Sequence, residues 1–420
     1  MSHILITFLG KGEKDGDFYS KEHYQFEDDT NDYEKNFFGL AVLEHLENQD
    51  NKADKLIVLG TPSSMWDAFF ESDGEVESEY EEEWIDLAEA ITENSEYPEE
   101  DEEIEKEKIS KYLTTLEKVV SDRESIDCKL RVIPYGDSPE KQIAILEKMA
   151  ECVKDNDTVS LDITHGLRHL PMLVVLSAMY LEVVKKVKIA GIYYGAKDMG
   201  NRHEGIAPAL NLKGLLGIAN WVGALKSFDK DGDYGVFAGL LEKDGLTTKQ
   251  TKPLKEAAFF ERIFNVSQAA RKLTAFRNDV PENLPGIGSL FSDTLNDRTS
   301  WAKNTDVFVR QRDMAYSFLG KQDYQRAAIF AVEAFITHLC KQNNRKISDY
   351  HQRKAIEHDF LDRILGETEK IADFELLKKI RNTMAHVNEP RGEVKTMMED
   401  KNPQQRLETE LRKLMKCLLP

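Results

Sequence analysis

The first half of the chain repeats one unit: a short apolar run, a loop rich in glycine or serine, then a stretch with helical spacing. His3 to Leu9 runs into Gly10-Lys11-Gly12, and Lys55 to Leu59 runs into Gly60-Thr61-Pro62-Ser63-Ser64. Lys129 to Pro134 is followed by Tyr135-Gly136-Asp137-Ser138-Pro139, Val159 to Leu161 by Asp162 and a polar loop, and Val187 to Tyr194 by Gly195. Tyr24 to Phe26 adds a short strand. Helices are expected over Asn36 to Asn48, from Met65-Trp66 with Ser63 or Ser64 as its cap, over Lys141 to Asp155, and from Pro171 through the apolar run Met172 to Met179. Strands alternating with helices in this way predict a doubly wound, Rossmann-like α/β domain whose ligands collect at the carboxyl ends of the strands. None of the loops is a G-x-G-x-x-G or a P-loop, which argues against a dinucleotide or ATP enzyme.

After about residue 210 the pattern changes to helices alone. The spacing predicts them over Leu212–Phe228, Gly235–Leu241, Lys252–Phe276, Ser300–Leu319, Tyr324–Gln342, His351–Leu365, Phe374–His386 and Gln404–Leu418. A boundary is expected between Gly200 and Lys213, giving an α/β domain over 1–205 and an all-α region over 206–420.

The formal charge of −20 is unevenly spread. Between Glu71 and Ser110 stand 19 acids against Lys106 and Lys108, a balance of −17 that leaves −3 for the rest of the chain. This reads as a solvated acidic insertion at about 71–110, and it leaves nucleic acid open as a partner of the remainder. Cys128, Cys152, Cys340 and Cys417 form no C-x-x-C pair, so neither a zinc ribbon nor a disulfide framework is expected. The start lacks the features of a signal peptide and no apolar run approaches a membrane span. A cytoplasmic chain without a membrane partner is expected.

Two stretches carry candidate chemistry. In Asp162-Ile163-Thr164-His165-Gly166-Leu167-Arg168-His169-Leu170-Pro171, a strand feeds a helix through a glycine turn, which leaves backbone N–H groups and a helix dipole for an anion. A polar loop with a capping threonine explains the same residues, and both readings stay open. In Arg381-Asn382-Thr383-Met384-Ala385-His386, the arginine and histidine lie about 140° apart around a helix. They can border one cleft if the last turn frays or tightens. Histidine can relay a proton near neutral pH, arginine can stabilise a developing phosphate charge, and Asn382 can orient either. A helix C-terminus with two cations near its last carbonyls is the alternative. Upstream, Glu333 is a candidate partner for Arg381.

Taken together, these stretches resemble a known family. Arg381 to His386, preceded by the helix around Tyr324 to Glu333, is similar to the R-x-x-x-x-H hallmark of HEPN ribonuclease domains. Asp162 to Pro171 resembles the effector-binding loop of CARF domains, and Leu9-Gly10 and Gly60 to Trp66 look like other loops of that family. The order matches the CARF–HEPN accessory ribonucleases of type III CRISPR systems, of the Csx or Csm kind. The long acidic insertion departs from that family's compact pattern.

The resemblance implies a homodimer or higher homo-oligomer in which paired CARF domains bind a cyclic oligoadenylate, with cyclic tetra-adenylate favoured. Binding would activate metal-independent cleavage of single-stranded RNA at a composite site of two HEPN domains, leaving 2′,3′-cyclic phosphate ends. No cofactor and no metal are implied. Arg381 and His386 would be catalytic, with Asn382 supporting them. The effector would meet Gly10, Lys11, Gly12, Thr61, Pro62, Ser63, Ser64, Asp162, Thr164, His165, Gly166 and Arg168. Two alternatives remain: a nucleotide-sensing, non-catalytic dimeric binding protein, and a CARF domain that also degrades its own ligand.

Overall fold

Strand β1 (His3–Leu9) is buried along its whole length and is the middle one of five parallel strands in an eight-stranded sheet. The structure is a computed structural model that describes all residues except 28, 73, 203–204, 363–367 and 387–388, and only the backbone of 201–202 and 386. It divides into two units, Met1–Leu216 and Gly217–Pro420.

In the first unit the other strands are β2 (Glu22–Phe26), β3 (Tyr33–Lys35), β4 (Lys55–Gly60), β5 (Asp127–Val132), β6 (Thr158–Asp162), β7 (Lys188–Gly195) and β8 (Ala207–Asn211). Their order across the sheet is β3-β2-β8-β7-β6-β1-β4-β5. The five strands from β7 to β5 are parallel, while β8 runs antiparallel to β7 and β3 antiparallel to β2. After β1 the chain first forms β2 and β3 at the far edge, then β4 and β5 on one side of β1, and returns to the other side of β1 for β6 and β7. The switch point therefore falls between β1 and β6, and a crevice is expected beyond their carboxyl ends.

Alternation along β1 builds two cores. Leu5 and Leu9 point into one with helices α1 (Phe38–Asn48), α2 (Glu81–Glu96) and α4 (Leu113–Glu124), the last preceded by α3 (Glu102–Ser110). Ile4, Ile6 and Phe8 point into the other with α5 (Pro139–Glu151) and α6 (Leu170–Val184). The acidic insertion is a hairpin, Glu71–Ser72 with Glu75–Val76, followed by α2 and α3.

Several boundaries differ from the sequence reading. The expected helix at Met65 is only a 3-10 turn, Trp66–Phe70, without a side-chain cap. The stretch Ile104 to Val120 is divided between α3 and α4. Strand β8 was not expected, because Pro208 within it removes a backbone donor and reads as a break.

The second unit is helical. Helix α7 (Gly214–Asp231) leads into α8 (Gly235–Lys243), α9 (Thr248–Arg262), α10 (Val266–Asp279), α11 (Ser292–Thr299), α12 (Val307–Gly320), α13 (Tyr324–Gln342), α14 (Tyr350–Leu361), α15 (Thr368–His386), α16 (Gly392–Met398) and α17 (Pro403–Leu418). The span Lys252–Phe276, expected as one helix, breaks where Phe264 turns left-handed at φ 61° and Asn265 caps α10 through the Gln268 N–H at 3.2 Å. Ser300–Leu319 breaks likewise, since Asp306 caps α12 through the Phe308 N–H. The end of the expected helix His351–Leu365 lies outside the described residues. Helix α13 buries eleven residues and carries the apolar core of α12 to α17.

Among the described residues, one acid of this unit is buried without an ion pair. Glu261 on α9 is 3% exposed, and its Oε2 has no partner among the described residues. Burial pushes its carboxyl from the ordinary 4.5 up to about 8, against the opposing pull of Tyr234, Arg326 and Lys321. The folded state thus holds this proton more tightly than the unfolded chain, so the contribution is full at low pH and is lost as pH rises from about 4.5 to about 8. Glu261→Gln removes that loss. In urea unfolding, the variant should gain on the wild type by ~1–3 kcal/mol between about pH 5 and pH 8, and a difference that stays constant with pH would contradict the assignment.

Candidate functional site

Two glycine loops meet beside the crevice at the switch point, but Gly10 and Gly166 themselves, expected to meet the effector, do not line it. A Cβ on Gly10 would sit 2.3 Å from the Gly166 backbone nitrogen, so the loops after β1 and β6 touch main chain to main chain. Gly166 itself has φ +106°, a conformation that side-chain-bearing residues rarely adopt.

Asp162 ends β6 fully buried. It accepts hydrogen bonds from the Thr7 hydroxyl and from the Thr164 N–H at 2.8 Å. Burial pushes its carboxyl up to about 6, against those two hydrogen bonds, which favour the charged form. Thr164 is thereby fixed, and its hydroxyl accepts the Gly195 N–H from the end of β7 at 2.7 Å. Asp162 is a buried brace for the loop and lies below the crevice surface.

His165 is expected among the effector residues, and it does line the crevice, but it brings no positive charge. Its Nε2 accepts the Phe38 N–H at the start of α1, 3.2 Å away, which fixes its proton on Nδ1. Burial, and then the charge of Lys197, push its pKa down to about 4. His165 thus serves α1, whose N-cap residue Phe37 has no side-chain acceptor to offer. His169 turns away and donates from Nε2 to the Tyr135 carbonyl at 2.9 Å. Arg168 is exposed at the start of α6 and makes no hydrogen bond or ion pair with a described residue.

The crevice is lined by Lys11, Gly12, Thr164 and His165 from the expected set, together with Asn36, Tyr24, Tyr194, Glu13, Glu22 and Lys197. Lys197 is held by Glu22 at 2.5 Å and Glu13 at 2.8 Å, and those hydrogen bonds raise its pKa. Lys11 donates to Ser95 on α2 of the insertion. The position of Lys197 just beyond the carboxyl end of β7 could have been flagged by the strand-end rule. Glu22 and Tyr24 gave no such signal, because nothing in the sequence places edge strand β2 beside β8.

Thr61, Pro62, Ser63 and Ser64, also expected to meet the effector, do not reach the crevice. Thr61, Ser63 and Ser64 are buried. The Ser64 hydroxyl accepts the Thr61 N–H at 2.9 Å and donates to the Leu9 carbonyl at 2.7 Å. The Trp66 indole donates to the Thr61 carbonyl, and Asn94 of α2 donates to the Pro62 carbonyl. The insertion covers this corner, and it is anchored further by Glu102 and Glu105, which accept from the N–H and hydroxyl of Tyr135. Ser64 is therefore a tie between the loops after β1 and β4, and caps no helix.

In the second unit, α15 buries Phe374, Leu377 and Ile380 against the core built on α13. Arg381 and Asn382 follow on its half-exposed side, and the side chain of neither makes a hydrogen bond or ion pair with a described residue. The side chain of His386, at the last position of α15, lies outside the described residues, as do Val387 and Asn388. Asn382 lines a cleft between α15 and α16 with Lys379, Thr383, Arg391 and Val394. Glu333, the candidate partner of Arg381, pairs instead with Arg353 at 2.5 Å. Among the described residues no group of three or more His, Cys, Asp or Glu is placed to hold a metal ion. No described helix is long and apolar enough to cross a membrane.

Comparison with known proteins bears on both units. Residues 4–198 match the family model of the CRISPR system endoribonuclease Csx1, CARF domain. A curated relative, CRISPR-associated protein MJ1674 of Methanocaldococcus jannaschii, is 27% identical over 450 residues, an alignment that covers 100% of this chain and 67% of that protein. The mostly parallel α/β unit is thus similar to the CARF domain of Csx1, and the chain as a whole is homologous to a CRISPR-associated protein that is about half as long again.

Proposed function

We propose that the chain is a cyclic oligoadenylate-activated, metal-independent endoribonuclease of type III CRISPR defence, with residues 1–205 as a CARF sensor and 206–420 as a helical linker and HEPN nuclease. The observation that carries this reading is the switch-point crevice, which lies within the residues that match the Csx1 CARF model and gathers Lys11, Thr164 and Lys197. The Thr164 side chain and the cations Lys11 and Lys197 suit phosphates and ribose hydroxyls. Neutral His165 and Asn36 suit the uncharged edge of a base.

A ring-shaped ligand suits two such crevices side by side, and α6 offers a surface for the second copy. Met172, Leu176 and Val183 recur on one face of that helix and are 72%, 58% and 80% exposed. An apolar stripe of this kind is stabilised by burial against its symmetry mate.

In the nuclease half, the RNA's own 2′-hydroxyl would attack the adjacent phosphorus. His386 would take or return the proton, the O2′–P bond would form, and the P–O5′ bond would break, with the leaving oxygen protonated. Arg381 would stabilise the charge that develops on the phosphoryl oxygens, and Asn382 would orient the group. Arg381 and His386 lie about 140° apart on a straight helix, which favours a site completed by a second copy. A fluorescent single-stranded RNA incubated with cyclic tetra-adenylate in EDTA should be cut to fragments with 2′,3′-cyclic phosphate ends, while the DNA of the same sequence survives. RNA left intact under these conditions would favour the non-catalytic binding protein.

A further inference from the structure

Helix α15, helix α16 and the residues just before α16 line a cleft with Lys379, Asn382, Thr383, Glu389, Arg391 and Glu393. Resting on the nuclease reading, we propose that Lys379 and Arg391 grip RNA phosphates beside the scissile one and so position the strand for cleavage. The helical repeat supports the placement. Lys379, Asn382 and Thr383 are spaced i, i+3 and i+4, and position 386 is i+7, about 20° around and about 10 Å along the axis from Lys379. The cleft therefore runs along the stripe that ends at the proposed catalytic histidine, at a distance suited to a neighbouring phosphate.

The state of the two cations supports an anionic partner. Nearby lysines are engaged: Lys378 pairs with Glu357 at 2.5 Å and Lys395 with Glu399 at 3.6 Å. The side chains of Lys379 and Arg391 are exposed and make no hydrogen bond or ion pair with a described residue, although Glu389 and Glu393 line the same cleft. With two cations and two carboxylates the cleft has no net formal charge, so it cannot act as a general anion trap. Recognition would come from two point contacts, Arg391 being able to grip a phosphate with two parallel N–H donors.

The test uses the full-length protein with cyclic tetra-adenylate and a fluorescent, single-stranded 2′-O-methyl RNA, which lacks the attacking hydroxyl and reports binding alone. Lys379→Gln with Arg391→Gln should weaken binding on the order of tenfold at low salt and reduce the slope of log K against log salt by about 0.7 for each residue. With cleavable RNA, KM should rise more than kcat falls, and Lys379→Arg should restore most of the affinity. Wild-type affinity and salt slope in the double variant would overturn the proposal. The nuclease reading fails separately: if wild-type protein never cuts RNA but the double variant loses RNA binding, the cleft stands as an RNA site and the catalytic assignment falls.

Discussion

Replacing His386 by alanine should lower the rate of RNA cleavage by about 10²- to 10⁴-fold, the range lost when a general acid or base is removed. The competing explanation for a histidine at this position is structural. It ends α15, where a cation near the last carbonyls is stabilising by ~0.3–1 kcal/mol. Against a domain stability of ~5–15 kcal/mol, such a loss leaves nearly all molecules folded. A structural role therefore shifts the melting temperature slightly and the rate hardly at all, while a catalytic role does the reverse. Initial rates with saturating cyclic tetra-adenylate, alongside a melting curve, separate the two. Arg381→Ala should behave in the same way, because Arg381 is half-exposed and has no ion pair among the described residues to lose.

Gly10→Ala should abolish activation by the oligoadenylate and weaken its binding by at least about tenfold, through overpacking that costs ~1–3 kcal/mol. The new methyl group would lie 2.3 Å from the Gly166 nitrogen, which is main chain and cannot rotate away. The loops after β1 and β6 must then part, carrying Lys11 and Gly12 away from Thr164. Because Thr164 is fixed by buried Asp162 on one side and by the Gly195 N–H on the other, the strain is not absorbed locally. Thr164→Val is the milder companion. It keeps the shape but leaves the Gly195 N–H unpaired, and should lose part of the affinity without the packing cost. Calorimetric titration with cyclic tetra-adenylate measures both.

How much of this was legible in the sequence depended on the range of the interaction. The apolar runs of β1, β6 and β7 and the periodicity of α13 are local, and they point to an α/β unit followed by helices. Lateral strand order is not local. The place of β2 beside β8, which brings Glu22 and Tyr24 to the crevice, depends on a strand that Pro208 disguises. Burial of Thr61 to Ser64 was hidden for a related reason, since Asn94, which donates to the Pro62 carbonyl, comes from an insertion whose charge suggests a solvated excursion. A polar serine loop after a strand looks the same whether it meets a ligand or ties down its own backbone.

Electrostatic roles were the least legible. His165 is expected from the sequence to meet the effector, yet its surroundings make it a neutral acceptor for the first N–H of α1. Glu333 sits among apolar neighbours at helical spacing, and only the packing of α14 shows that Arg353 claims it. Lys197 carries two carboxylate partners, one from the loop after β1 and one from β2, neither visible from its own segment. An anionic ligand entering the crevice must compete with Glu13 and Glu22 for it, so ligand affinity should depend on those two carboxylates as well as on the cations.

Under the proposed function, sensing and cutting reside in separate halves of the chain. The measurement that tests it most directly is a paired titration of wild type, Gly10→Ala and His386→Ala, following bound cyclic tetra-adenylate and RNA cleaved in the same samples. A crossed pattern is expected. His386→Ala binds the ligand like the wild type and cuts at least about a hundredfold more slowly, while Gly10→Ala binds it at least about tenfold more weakly and is not stimulated. Ligand-stimulated cleavage at the wild-type rate by His386→Ala, or by Gly10→Ala without bound ligand, would contradict it.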